Sequence, residues 1–309
     1  MTCHNCQTQC KKFGKDRKGS QRFRCRQCSK TFTEPHNGHF AGMYLPMEKA
    51  VFILKLLVEG VSVRSIERLT DVHRDTILRL LVAAGERCER LLEDRIRQVP
   101  VKDVQCDEMW GFSYCKEKRN VTDDPQRGDA YCFVGIERTS KLILAWHLGK
   151  RTARDTMAFT EKLDGATAGK FQITTDGFAP YVDAIHTCLG TRVDFAQLIK
   201  VYGASGEDEH RYSPARVLEV TAKPVWGQPD PKRICTSHVE CQNLTMRMAI
   251  RRLTRLTNAF SKKWENLRAA LALHFAWFNF CRRHSTIRCT PAMEAGLTDH
   301  IWTMEEMLN

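Results

Sequence analysis

The chain has 309 residues, 42% apolar and 27% charged, with a formal net charge of +12. That length accommodates two or three domains with at least one sizeable core, and the composition is that of a globular protein. No apolar run reaches the roughly 18 residues of a membrane span, and a Cys-rich segment stands where a secretory signal would. A cytoplasmic, nucleoid-associated protein with no membrane partner is expected.

The positive charge is unevenly placed. Residues 1–40 carry nine Lys/Arg against Asp16 and Glu34, and residues 243–290 carry ten against Glu265 alone. Two separated basic segments suit a polyanion held at two places, because each phosphate contact releases counterions.

Cys3-x2-Cys6 is followed after 18 residues by Cys25-x2-Cys28, the spacing of a tetrathiolate zinc site. The segment is too short and polar to fold on a hydrophobic core, so one Zn2+ is expected to supply its folding energy. Four protein ligands leave no open position, which makes the ion structural. Lys15, Lys18, Arg22 and Arg24 make residues 1–40 a basic zinc ribbon and are candidate DNA contacts. His4 and Cys10 read as bystanders. Cys88, Cys106, Cys132, Cys188, Cys281 and Cys289 show no bridging framework and read as small buried residues.

Residues 46–98 read as an all-α helix-turn-helix. Val51, Leu54, Leu57 and Val58 repeat at helical steps, Gly60 breaks the helix, and Ser62 caps a second one ending at Leu69. After a turn at Asp71–His73, a third helix buries Ile77, Leu80, Leu81 and Ala84. It presents Asp75, Thr76 and Arg79 to a major groove. The segment is nearly charge-neutral, so a plain helical connector stays open as the alternative. Glu86–Arg97 reads as a solvated linking helix ending at Pro100.

Beyond Pro100 the period changes. Strands are expected at Val101–Phe112, Ala130–Glu137, Leu142–Leu148 and Phe171–Thr175, with helices at Arg154–Leu163 and Tyr181–Leu189. Three strands, then helix, strand and helix, make residues 101–309 an α/β domain with a mixed sheet, in the order of a ribonuclease-H-like fold. Residues 206–232, rich in Pro and Gly, read as a hairpin insertion.

Three acids sit where such a fold gathers them: Asp107 on the first strand, Asp176 at the end of the fourth, and Glu240 opening a long helix. Carboxylates that converge this way can hold two Mg2+ (or Mn2+) ions, which keep waters and phosphate oxygens among their ligands. On the helix after Glu240, Arg247 and Arg251 fall within about 20° of its direction and are candidate phosphate contacts. Glu108 follows Asp107 directly and alternation turns it to the opposite face, which makes it the weaker ligand.

Taken together, the order of zinc ribbon, helix-turn-helix, Asp107-Glu-Met-Trp110, Thr175-Asp-Gly177 and Glu240-x-x-Asn243 resembles transposases of the bacterial insertion sequence one family. Arg24-Cys-Arg-Gln-Cys-Ser-Lys-Thr-Phe32 is similar to that family's ribbon. Leu253–Lys263 is similar to the segment after its catalytic Glu. Asn279-Phe-Cys-Arg-Arg-His-Ser-Thr286, with Thr290-Pro291-Ala292, resembles the C-terminal end of many Asp-Asp-Glu transposases. The resemblance implies nicking of insertion-sequence ends, then 3′-hydroxyl strand transfer into target DNA, with magnesium and a synaptic homo-oligomer. Cys241 departs from it, where an Arg is expected after the Glu. A non-catalytic DNA-binding regulator on an inert nuclease fold is the competing reading, separated by magnesium-dependent nicking. A nuclease acting on RNA–DNA hybrids is a second, for which two dedicated DNA modules would be superfluous.

Overall fold

The computed structural model describes residues 1–16, 20–33, 43, 45–122, 124–203, 217–255 and 257–308. They fall into two compact units, Met1–Ala50 and Val51–Asn309. In the first, strands β1 (Cys10–Lys15), β2 (Gln21–Cys25) and β3 (Thr31–Thr33) form an antiparallel sheet in that order. Phe23 and Phe32 pack against the buried Cys3, Cys10 and Cys25. Arg22 and Arg24, two residues apart and so on one face of β2, lie over the ring of Phe13.

Helices α1 (Met47–Val58), α2 (Val63–Thr70) and α3 (Arg74–Arg95) follow. Ser62 caps α2, its hydroxyl accepting from the Ser65 amide at 3.1 Å, and Asp71 ends the helix in the left-handed region at φ 54°. Helix α3 buries Ile77, Leu80, Leu81 and Ala84, as the apolar spacing requires. It also buries Cys88 and Leu92, so Glu86–Arg97 is not the solvated link expected of its charges.

After β4 (Val99–Pro100) come β5 (Asp103–Ser113), β6 (Gly128–Glu137), β7 (Ile143–Gly149), α4 (Ala153–Ala166), β8 (Thr167–Ala168), β9 (Phe171–Thr175) and α5 (Pro180–Cys188). Then follow β10 (Val193–Tyr202), β11 (Val217–Trp226), α6 (Ser237–Ala249), α7 (Trp264–Phe280), α8 (Pro291–Glu294) and α9 (Met304–Leu308). Six strands form one mixed sheet in the order β11-β10-β9-β5-β6-β7, with β9 parallel to both neighbours and the other pairs antiparallel. Strand β10 extends the expected set. Strand β11, from the stretch read as an insertion, is the edge strand of that sheet, and residues 204–216 lie outside the described ones.

Successive residues of β5 divide between the two faces. Cys106 meets Gly135, whose open face also receives Phe159 and Leu163 of α4. The Gln105 carboxamide oxygen accepts from the His238 and Val239 amides of α6 at 2.9 and 3.3 Å. Helix α4 therefore covers one face and α6 the other.

The long helix expected after Glu240 stops at Ala249, and Arg251–Leu253 forms a separate 3-10 turn. Arg247 closes the end by donating to the Leu253 carbonyl at 3.2 Å, while the Thr254 hydroxyl donates to the Arg247 carbonyl at 3.1 Å. Arg251 thus leaves the helix face shared by Glu240 and Arg247. Among the described residues no helix is long and apolar enough to cross a membrane.

Helix α7, buried on nearly every side, packs against α3 and β7. The crossing is close at Gly85, where an added Cβ would stand 2.5 Å from both Cα and Cβ of Ala269. Helix propensity alone predicts that Gly85→Ala stabilises by about 1 kcal/mol, whereas the crossing predicts a loss of roughly 1–3 kcal/mol. Denaturant unfolding should show the loss; a gain would mean that the two helices part without cost.

Candidate functional site

The four ribbon thiols converge. Cys3 Sγ lies 3.6 Å from Cys6 Sγ and 3.5 Å from Cys28 Sγ, and Cys6 Sγ lies 3.7 Å from Cys25 Sγ. A tetrahedron with Zn–S bonds of about 2.3 Å has sulfur–sulfur edges of about 3.8 Å, so the donor set fits zinc. The two C-x2-C turns donate backbone amides to sulfur: Asn5 to Cys3 at 3.4 Å, and Gln27 and Cys28 to Cys25 at 3.4 and 3.5 Å. The Cys28 amide and then the Thr8 hydroxyl hold the Cys25 thiol down to about 5, while the Cys28 thiol beside it pushes Cys6 up to about 12, so without a cation the four sulfurs do not all ionise together. Cys10 is not in the group of four, and His4 packs edge-on against Phe32, which leaves both as bystanders. Lys15, Arg22 and Arg24 stand on the strands of this unit; Lys18 lies outside the described residues.

The acidic site lies where β9 stops. Strand β5 pairs with β9 only from Asp103 to Gln105, then runs on past the end of its neighbour. Asp107 and Glu108 sit on that overhang and Asp176 is the first residue after β9. Carboxylate oxygens of Asp107, Glu108 and Asp176 all lie within 4.8 Å of one another. Alternation does turn Glu108 to the α4 side, but with no strand beside it on the β9 edge, Asp176 is reached from both faces. Glu108, expected to be the weaker ligand because it faces the other way, therefore joins the group all the same.

Each carboxylate is held differently. Asp107 Oδ2 accepts from the Asn243 side-chain amide at 2.7 Å, and Oδ1 accepts from the Glu108 amide at 2.9 Å. Asp176 Oδ1 accepts from the Phe178 amide at 3.0 Å, and Gly177 leaves room for Ile199, which a Cβ would approach to 3.3 Å. Arg151 donates through Nε to Glu108 Oε2 at 3.2 Å and lies 3.5 Å from Asp176 Oδ2, its guanidinium 4.2 Å above the Phe178 ring. Burial and then the neighbouring Asp176 charge push Asp107 up to about 7 and Glu108 up to about 8; burial also raises Asp176.

Glu240 is not in the group of three, although its charge is close enough to raise Asp107. Its Oε1 accepts from the Thr236 hydroxyl at 2.5 Å and from the Lys200 ammonium on β10. Arg247 is committed to backbone, donating to the Leu253 and Trp110 carbonyls at 3.2 and 3.1 Å. Arg251 is exposed. On α3, Asp75 and Arg79 are exposed and Thr76 half-buried, beside a groove whose far wall is Lys263, Glu265 and Asn266. Sequence reasoning missed Arg151 and Lys200. Asn243, one helical turn after Glu240, carried a signal in its spacing.

Metal analysis of freshly reduced protein should give about one zinc per chain. Cys25→Ser should release it and unfold the ribbon while the transition of the second unit stays in place. Absence of zinc in the intact protein would contradict the site. The acids predict a pH effect as well. In magnesium-free buffer Asp107 and Glu108 bind more protons folded than unfolded, so stability should fall as pH rises from about 4 to about 8. Melting temperatures across that range should drop for the wild type and drop less steeply for Glu108→Gln, in which Asp107 still titrates; parallel curves would mean that Glu108 does not titrate in the window.

No protein-family model matches the chain, and no curated protein does. Among solved structures it is similar to a piggyBac transposase synaptic complex with hairpin DNA, at 10% identity over 74% of this chain and 62% of that one, with a TM-score of 0.38. It is also similar to a Mos1 transposase paired-end complex with left transposon end, at 14% identity over 49% and 60%, with a TM-score of 0.21. The chain thus spans about three fifths of the length of the solved structures it matches. Likeness of that extent leaves the assignment to the site's own residues.

Proposed function

We propose that the protein is an Asp-Asp-Glu transposase of the insertion sequence one type, which cleaves and joins double-stranded DNA at Asp107, Asp176 and Glu240. The observation that carries the reading is the approach of Asp107 and Asp176 at the open end of β9, with Glu240 and Asn243 on α6 at the same face. Two Mg2+ or Mn2+ ions held there would supply charge neutralisation and an activated attacking oxygen. Asn243 orients Asp107 through its 2.7 Å bond, and Lys200 holds Glu240 in place until a ligand competes for it.

DNA would be gripped by residues other than the acids. The ribbon presents Arg22 and Arg24 stacked on Phe13, with Lys15 and Lys18 nearby in sequence. The first turns of α3 offer Asp75, Thr76 and Arg79 to base edges. Of Arg247 and Arg251, the second is the better phosphate contact, since Arg247 already commits two donors to carbonyls. Binding two transposon ends and a target calls for a homo-oligomer in a synaptic complex.

The test is magnesium-dependent nicking and end joining on DNA carrying the element's own terminal repeats. Asp107→Asn, Asp176→Asn and Glu240→Gln should each lower both activities by at least about a hundredfold, beyond what loss of an outer-shell partner costs, while end binding persists. Near-wild-type joining by any one variant removes that residue from the site. End binding with no cleavage by the wild type would make the protein a DNA-binding regulator instead.

A further inference from the structure

The Glu108 side chain is 2% exposed, and its Oε1 is buried without a hydrogen-bond partner among the described residues. The hydroxyl of the fully buried Tyr181 lies beside the carboxylate and favours its charged form, although neither it nor Oε1 reaches full hydrogen-bond geometry. The other oxygen, Oε2, accepts from Arg151 Nε at 3.2 Å. A carboxylate buried this far, with one half-exposed arginine and one poorly aligned hydroxyl beside it, is costly to hold charged unless a further cation meets it. Asp107 and Asp176 bring their own oxygens within 4.8 Å of it, and hard divalent ions take oxygen ligands from carboxylates gathered in this way.

We propose that Glu108 is a ligand of the divalent ion bound by Asp107 and Asp176, and that Arg151 is the cation this ion displaces. The inference rests on the proposed metal-dependent function and adds a fourth carboxylate to its site. Arg151 is suited to leaving. Its guanidinium is 41% exposed, bridges Glu108 and Asp176 at the edge of the group, and rests on the Phe178 ring, which can go on supporting the side chain after both bonds break. Glu108 and Arg151 therefore act on metal affinity with opposite sign: one contributes a negative ligand, the other a competing positive charge.

Mn2+ binding to the full-length chain, followed by the loss of the free-ion paramagnetic resonance signal and by the rise in melting temperature with Mn2+ concentration, tests this without any turnover. Glu108→Gln should weaken Mn2+ binding by on the order of tenfold or more, since affinity follows ligand charge. Arg151→Ala should tighten it by several-fold. Unchanged affinity in Glu108→Gln, with a melting temperature already lowered before Mn2+ is added, would make Glu108 a structural partner of Tyr181 and overturn the proposal. Weaker binding in Arg151→Ala would overturn the displacement. Asp107→Asn separates the two levels of the account. If it abolishes Mn2+ binding while Glu108→Gln does not weaken it, the metal site stands without Glu108. If the wild type takes up no Mn2+, the proposed function itself falls.

Discussion

Carboxylates repel one another, and three of them meet at the open end of β9 in a partly desolvated pocket. The rest of the second unit can be understood from what tolerates that crowding. Burial lifts Asp107 and Glu108 toward neutrality, so in the absence of other cations protons carry part of the burden. Arg151 carries more from the α4 side, and Lys200 answers Glu240 from β10. Each of these devices is reversible: a proton, a half-exposed guanidinium and a partly exposed lysine can all give way to a divalent ion. A site built only for stability would be closed by fixed apolar packing or a buried, fully satisfied ion pair.

The sheet makes the crowding possible. Because β5 outruns β9, two neighbouring residues that point to opposite faces can both reach the residue that follows the shorter strand. Helix α6 is locked to the same strand by its first amides on Gln105 and by Asn243 on Asp107, which fixes where Glu240 enters. Its far end is tied off by Arg247, and the α3–α7 crossing at Gly85 belongs to the same compact unit. In the first unit Phe23 and Phe32 pack on the buried cysteines, four of which form a donor set that fits zinc.

Much of this was legible in the sequence. The C-x2-C pairs, the Ser62 cap, the strand carrying Asp107 and the strand ending just before Asp176 follow from spacing and alternation. Four things did not. Strand β10 mixes apolar residues at Val193, Phe195, Ala196, Leu198 and Ile199 without a period of two, which hid both the strand and Lys200. Glu108 was set aside on alternation, a rule that holds for direction but says nothing of where a neighbouring strand ends. Arg247 looked like a phosphate contact because helical angles place it beneath Glu240; the helix end at Ala249, invisible in periodicity, turns it to the backbone instead. Arg151 had no local signal at all, since its role exists only once Glu108 and Asp176 are brought together.

The most direct measurement is a crystal structure of the full-length chain grown with Mn2+, with data collected at the manganese edge. The account places an anomalous peak between the carboxylates of Asp107 and Asp176, with a Glu108 oxygen in the coordination shell and the Arg151 guanidinium withdrawn. No peak at that position, with Arg151 still bridging Glu108 and Asp176 at millimolar Mn2+, would contradict it.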